Sequence, residues 1–132
     1  LDRIKALQSQ RNQRGRSLSL LLITHNLAIV SGMCSRVAVM YAGRILEMGS
    51  TADIFDKTAH PYTHALLRAI PSIASHKSEL YSIPGQPPDL LHLPKGCPFV
   101  TRCPRAMPKC KESAPLLKEV SPGHQVACYL TE

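Results

Sequence analysis

Proline is confined to the second part of the sequence, where all 11 prolines lie at or after Pro61. Proline lacks a backbone N–H donor and disrupts both helix interiors and central strands. Regular helices and strands are therefore expected before Pro61. From about Tyr81 onward we expect a loop-rich region, fixed by something other than a ladder of backbone hydrogen bonds.

The proline-free part has the pattern of an α/β fold. Residues 1–13 are predicted to form the end of a helix, and the apolar run 18–24 is typical of a strand covered on both faces. His25 follows this run directly, and Asn26 is a good N-cap for a helix over 27–34. A side chain between such a strand and helix lies where α/β sheets bind their ligands. His25 is therefore a candidate for contacting a bound phosphate.

Three further elements are predicted downstream. The short apolar runs 36–40 and 44–48, separated by a turn that contains glycine, predict a β-hairpin. Thr51 is predicted to cap a short helix over 52–56. Another helix is expected to open at Pro61, because proline is well tolerated in a first helical turn.

Four of the five cysteines are clustered late in the chain with the spacing C-x5-C-x6-C-x17-C: Cys97, Cys103, Cys110 and Cys128. Two disulfides, a structural zinc site or an iron–sulfur cluster could explain this clustering. Disulfides are disfavoured because nothing in the sequence directs the chain out of the cytosol. Spacing favours iron–sulfur over zinc, since structural zinc ligands usually include close C-x2–4-C pairs. Nearby basic residues would stabilise an anionic cluster: Lys95, Arg102, Arg105 and Lys109.

Cys34 and His124 are not expected to be metal ligands. Cys34 shares the apolar face of the predicted helix with Leu27 and Val30, so we expect a small buried hydrophobic side chain. His124 is close to Cys128 in sequence, but four cysteines already complete a metal site. We therefore expect His124 to lie beside the ligands or at the surface.

The formal net charge of +7 is compatible with nucleic acid, anionic lipid or a phosphate-rich ligand. A nucleic-acid-binding zinc module is not favoured, because the cysteine region has few aromatic residues beyond Phe99 and Tyr129 and no recognition helix follows it. No apolar stretch approaches the roughly 20 residues that a membrane-spanning helix requires. Any membrane association is expected to go through a partner.

Several stretches together carry a specific family pattern. The sequence LITHNL at 22–27, followed by RVAVMYAGRI at 36–45, closely resembles the histidine switch and the following hairpin of ABC transporter ATPases. The sequence HPYT at 60–63 is similar to the extension peculiar to the oligopeptide/dipeptide importer branch. Four later stretches resemble the C-terminal signature of that branch: GCPF at 96–99, RCP at 102–104, Cys110 and GHQVAC at 123–128. The resemblance covers essentially the whole chain.

The resemblance implies an α/β fold: the C-terminal part of an ABC-type P-loop ATPase domain, followed by an irregular, metal-bound, cysteine-rich extension. Residues 1–71 would belong to the nucleotide-binding domain, and residues 72–132 would form a linker and the extension. His25 would contact the γ-phosphate of ATP and help position the attacking water. The four late cysteines would ligate a [4Fe-4S] cluster, with zinc as the alternative. The family has Asp where this chain has Asn26; both cap a helix N-terminus, but a negative charge is lost.

The resemblance also implies cofactors and partners of a full-length protein. ATP with Mg would be its cofactors, and hydrolysis would energise peptide import. Its partners would be a second ATPase subunit in a homo- or heterodimer, transmembrane permease subunits and, indirectly, a peptide-binding protein outside the membrane. Nucleic acid would not be a partner. The protein would lie peripherally on the cytoplasmic face of the cell membrane.

The first residue is Leu1, within an amphipathic pattern, so the chain is expected to be a C-terminal fragment. Its sequence contains no G-x-x-x-x-G-K-[ST] phosphate loop, no ABC signature motif and no apolar strand ending in Asp-Glu. We therefore expect the fragment by itself not to hydrolyse ATP. The alternative function is a non-catalytic, metal-binding regulatory module in which the cysteine segment carries the whole activity.

Overall fold

The computed structural model describes residues 19–70 and 81–131. The helix predicted over 1–13 and most of the linker predicted over 72–82 lie outside these ranges. The chain divides into two compact units, the first ending at Cys34 and the second beginning at Ser35. No helix within the described ranges is long and apolar enough to cross a bilayer.

The first unit contains helix α1, Leu27–Met33. Its predicted N-cap is confirmed, because the Asn26 side chain accepts hydrogen bonds from the backbone N–H groups of the second and third helical residues. The strand predicted over 18–24 is wrong for its described part, where 19–24 has no strand pairing. Leu21 and Ile23 are 86% and 90% exposed. A strand is held by its neighbours, and the described residues of this unit supply no second strand.

The second unit opens with the predicted hairpin, formed by β1 (Arg36–Tyr41) and β2 (Arg44–Ser50). The two turn residues, Ala42 and Gly43, have φ values of 48° and 76°. Positive φ at both positions defines the type I′ turn that matches the twist of paired strands. The hairpin prediction is confirmed.

A β-bulge interrupts this hairpin. Val39 pairs with Glu47 and Met40 with Ile45, so Leu46 is the additional residue on β2. Strict alternation would place Leu46 and Glu47 on opposite faces, but both are buried. The bulge therefore brings a hydrophobic side chain and an acidic side chain into the interior next to each other.

Two short helices follow. Helix α2, Thr51–Asp56, has Ser50 as its N-cap, with a capping box completed by Asp53. The cap predicted at Thr51 is therefore wrong by one residue. Helix α3, Pro61–Arg68, begins with proline as predicted, and His60 is its N-cap.

The region from Tyr81 also contributes strands, which corrects the expectation that no backbone ladder would hold it. Strands β3 (Lys118–Ser121) and β4 (His124–Val126) form a hairpin, and β4 pairs with β2 in a four-stranded antiparallel sheet of order β1-β2-β4-β3. Strand pairing is possible here because Pro122 lies in the turn between the strands, where a backbone donor is not needed.

The core of the second unit joins the first hairpin to the cysteine segment. Phe99 is fully buried, and its ring centroid lies 5.4 Å from that of Tyr41 and 5.2 Å from that of Tyr62. Leu46 belongs to the same cluster of buried side chains. These edge-to-face and tilted contacts are the favoured geometries of aromatic pairs. The fold is α/β with a small antiparallel sheet, and the domain division at 71/72 stays a prediction.

Candidate functional site

All four late cysteines line a single cavity in the second unit. Cys97 and Cys110 are buried, whereas Cys103 and Cys128 are partly exposed. Cys110 is carried by the short helix α4 (Lys109–Glu112), and Cys128 directly precedes a 3₁₀ turn over Tyr129–Thr131. None of the five cysteines, all of which lie in the described ranges, forms a disulfide. The fold therefore gathers four thiols that are up to 31 positions apart in sequence.

A close backbone contact sets the position of Cys97 relative to Cys110. The backbone N–H of Cys97 donates a 2.8 Å hydrogen bond to the carbonyl oxygen of Cys110. A Cβ atom added at Gly96 would overlap that carbonyl oxygen and lie 2.8 Å from its carbon. Only glycine fits at this position without displacement of the backbone that carries two of the thiols.

Replacing Gly96 by alanine is expected to lower the free energy of unfolding by about 1–3 kcal/mol or more, because the added methyl group meets rigid backbone. Chemical denaturation followed by circular dichroism measures this loss. Gly32→Ala is the matched control, since nothing lies within 4 Å of its added Cβ and alanine is favoured in a helix. Equal stability of the Gly96→Ala variant and the unaltered chain would contradict the close contact.

Burial and backbone hydrogen bonds have opposite effects on the pKa values of three of the cysteines. Burial, together with the neighbouring thiols, raises the pKa of Cys97 to about 11. Burial also raises the pKa of Cys103 and Cys128. Hydrogen bonds from the backbone N–H two residues further along oppose these rises in pKa at all three cysteines. A site of this kind is suited to thiolates only when a positive partner compensates their charge.

The four thiols that share the cavity are the candidate ligands of a metal centre. Within the described ranges, no group of three or more His, Cys, Asp or Glu side chains is arranged to hold a metal ion. One zinc ion would require each sulfur at about 2.3 Å. Four thiols line one cavity, and a backbone N–H donates toward the sulfur of three of them. The kind of metal centre, iron–sulfur or zinc, stays a prediction.

A buried carboxylate supports this site, and sequence reasoning missed it. Glu47 is fully buried. Its Oε1 accepts from the Ala59 backbone N–H at 2.7 Å and from His124 Nε2 at 2.8 Å. Its Oε2 accepts from Thr58 Oγ1 at 3.0 Å and from the His60 backbone N–H at 3.2 Å. Glu47 therefore ties β2 to the loop before α3 and to β4, which leads to Cys128.

The structure tests part of what was expected of His124 and Cys34. His124 is not at the surface, since it is only 2% exposed and donates to Glu47. Its other expected position, beside the ligands, stays a prediction. Cys34 lies just beyond the C-terminus of α1 and is partly exposed, so the expected full burial is wrong. The helix ends one residue earlier than predicted, which removes Cys34 from its apolar face.

His60 is a second buried polar residue whose environment was not predicted. It lines the cysteine cavity, and its Nδ1 accepts a 3.0 Å hydrogen bond from the Tyr62 backbone N–H. Burial lowers the pKa of His60 to about 4, although Glu47 acts to raise it. The imidazole is therefore neutral at physiological pH. The HPYT pattern at 60–63 marked this position in the sequence without indicating its contacts.

His25 lies in the first unit, in a bend between the unpaired segment 19–24 and α1. Its side chain is exposed. The adjacent Asn26 N-cap fixes the start of α1, and its backbone N–H donates to Thr24 Oγ1 at 3.0 Å. The assignment of His25 to a nucleotide phosphate stays a prediction.

Comparison with known proteins identifies the chain's relatives. Residues 46–110 match the family model described as the C-terminal region of oligopeptide/dipeptide transporters. The chain is 50% identical over 111 residues to the oligopeptide transport ATP-binding protein OppD of Salmonella typhimurium, covering 84% of this chain and 33% of that protein. It is 44% identical over 120 residues to the dipeptide transport ATP-binding protein DppD of Bacillus subtilis, covering 91% of this chain and 36% of that protein.

The α/β fold and these matches define the class as a C-terminal region of transport ATP-binding proteins. The chain belongs to the oligopeptide/dipeptide transporter family of ABC ATP-binding subunits. It spans about a third of the length of the curated relatives it matches. The matched range 46–110 begins at the buried bulge and ends at the third cavity cysteine.

Proposed function

We propose that the chain is part of the ATP-hydrolysing subunit of an importer for peptides, with a [4Fe-4S] cluster on its four late cysteines. The observation that carries the transport function is the 44–50% identity to OppD and DppD over most of the chain. Those relatives are named as oligopeptide and dipeptide transport ATP-binding proteins. Peptides are accordingly the proposed cargo.

His25 is the residue proposed to act on nucleotide. An exposed imidazole immediately before a capped helix can reach a phosphate and donate a hydrogen bond to it. In the proposed role, His25 contacts the γ-phosphate of ATP with Mg and helps position the attacking water. Binding the rest of the nucleotide requires a phosphate loop and a magnesium-holding carboxylate, and the 132 residues contain neither motif. We accordingly propose that this chain by itself does not hydrolyse ATP.

Replacing His25 by alanine is expected to lower the rate of ATP hydrolysis about 100-fold or more, because a positioned acid–base group contributes roughly 10²–10⁴-fold. The measurement is phosphate release by a protein that carries this chain together with a phosphate loop. Binding of ATP should change much less than hydrolysis. The control is His64→Ala, since His64 is also exposed but lies on α3. Equal rates in the two variants would remove His25 from the proposed role.

The proposed cluster is supported by the cavity that the four cysteines share. Thiolates of the chain would hold the irons, and the cluster would supply either a rigid cross-link or a redox centre. Arg105 also lines the cavity and acts to lower the pKa of Cys103 and Cys128, so it favours anionic sulfur there. Zinc remains the alternative metal.

The proposed assembly follows from the transport function. A second ATPase subunit would complete the nucleotide sites, and permease subunits would carry the peptides across the membrane. A peptide-binding protein outside the membrane would act with the permease. The chain would then lie at the cytoplasmic face of the membrane, held there by its partners.

A non-catalytic metal module is the second candidate, and the cysteine cavity is the observation that favours it. The two candidates differ in their dependence on His25. A transport ATPase loses hydrolysis when His25 is replaced, whereas a metal module retains all its properties. The His25→Ala experiment therefore separates them.

A further inference from the structure

His60 has one ring nitrogen whose partner is not accounted for. Its Nδ1 accepts a hydrogen bond from the Tyr62 backbone N–H at 3.0 Å. A nitrogen that accepts a hydrogen bond carries no proton, so the proton of the neutral ring is on Nε2. His60 Nε2 is therefore an N–H donor.

This donor is buried and unpaired. His60 is 2% exposed, and its Nε2 has no hydrogen-bond partner in the part of the chain that the structure describes. Leaving a buried donor without an acceptor costs about 1–3 kcal/mol, so such a group in a folded protein needs an explanation. Thr63 Oγ1 is also unpaired, but Thr63 does not line the cavity.

The cavity that His60 lines can hold a hydrogen-bond acceptor for its Nε2–H. His60 lines it together with the four cysteines, and the neighbouring Phe99 and Val100 side chains offer no acceptor. The Phe99 ring lies 6.2 Å from the imidazole, centroid to centroid. The candidate acceptors among the residues that line the cavity are the sulfurs of the four cysteines.

We propose that His60 Nε2–H donates a hydrogen bond to a sulfur of the metal centre, either a cysteine thiolate or a bridging sulfide. This inference rests on the proposed iron–sulfur cluster. His60 would be a positioning residue rather than a ligand, because Nδ1 is committed to capping α3 and the four thiols complete the ligand set. Hydrogen bonds to sulfur stabilise the more negative, reduced state of a cluster and raise its reduction potential.

Two substitutions separate the donor from the cap. His60→Asn retains a side-chain oxygen at the position of Nδ1, which caps a helix well, and lacks the reach of Nε2. His60→Gln places an amide N–H near the position of Nε2 and is a poor N-cap. The first variant therefore tests the hydrogen bond to sulfur, and the second tests the cap.

The experiment is a redox titration of the anaerobically purified, iron-loaded chain, followed by its visible absorbance. His60→Asn is expected to lower the equilibrium constant for reduction about tenfold, equivalent to about 59 mV for a one-electron couple. His60→Gln is expected to remain within about twofold of the unaltered chain. Loss of iron to a chelator should be several-fold faster for His60→Asn than for His60→Gln.

The outcomes that overturn the inference are distinct. An unchanged reduction potential in iron-loaded His60→Asn overturns it and leaves the proposed cluster standing. Equal shifts in the two variants assign the effect to lost packing, and also overturn it. An unaltered chain that takes up no iron overturns the proposed cluster and this inference together.

Discussion

Replacing Glu47 by alanine is expected to lower the free energy of unfolding by about 3–5 kcal/mol, the usual cost of removing one partner from a buried charged network. The carboxylate is fully buried and accepts four hydrogen bonds. Its loss leaves the donors of His124 and of residues 58–60 unsatisfied. Because small domains are stable by only about 5–15 kcal/mol, this loss is a large fraction of the total stability.

Glu47→Gln tests whether the acceptor atoms or the side-chain volume matter. Each carboxylate oxygen of Glu47 accepts two hydrogen bonds. Glutamine replaces one of these oxygens by an NH₂ group, which cannot accept hydrogen bonds from the two donors at that position. We expect a loss of stability between those of the unaltered chain and Glu47→Ala. Asp56→Ala is the control, since Asp56 is exposed at the end of α2 and should change stability by at most about 0.5 kcal/mol. Denaturant midpoints measure all three, and a Glu47→Ala midpoint equal to the control's would contradict the network.

Replacing Cys128 by serine is expected to remove most of the bound iron. The unaltered chain, purified without oxygen, should be brown and contain about four irons, and Cys128→Ser should be pale and severalfold poorer in iron. Because the energy of binding a metal contributes directly to folding, the variant should also lose several kcal/mol of stability. Cys128 is the informative choice because it is partly exposed and lies outside the buried core cluster.

Cys34→Ser is the matched control for this experiment. Cys34 lies in the first unit and does not line the cavity, so its replacement should leave iron content unchanged. Iron content and the visible spectrum are measured on the three proteins prepared together. A colourless chain with one zinc would replace the iron–sulfur assignment by zinc, and equal iron in all three would exclude Cys128 as a ligand.

Elements that depend on a few adjacent residues were predictable. The Ala42-Gly43 turn fixed the hairpin, Asn26 fixed the start of α1, and Pro61 fixed the start of α3. Turn and cap chemistry acts over two to four residues, so the sequence contains it in full. The apolar run 18–24 could not be assigned in this way, because a segment with a strand-like sequence forms a strand only when neighbouring strands pair with it.

The sequence by itself also determined the number and type of the candidate ligands, four cysteines with basic neighbours. Only the tertiary structure decided that they share one cavity, and that the buried His60, which also lines this cavity, has a ring nitrogen unpaired among the described residues. The burial of Glu47 was likewise decided by a bulge and by partners 11 to 77 residues away in sequence. Local periodicity fixes which residues can pair within an element, whereas burial of a polar group depends on distant donors that only the folded chain brings together.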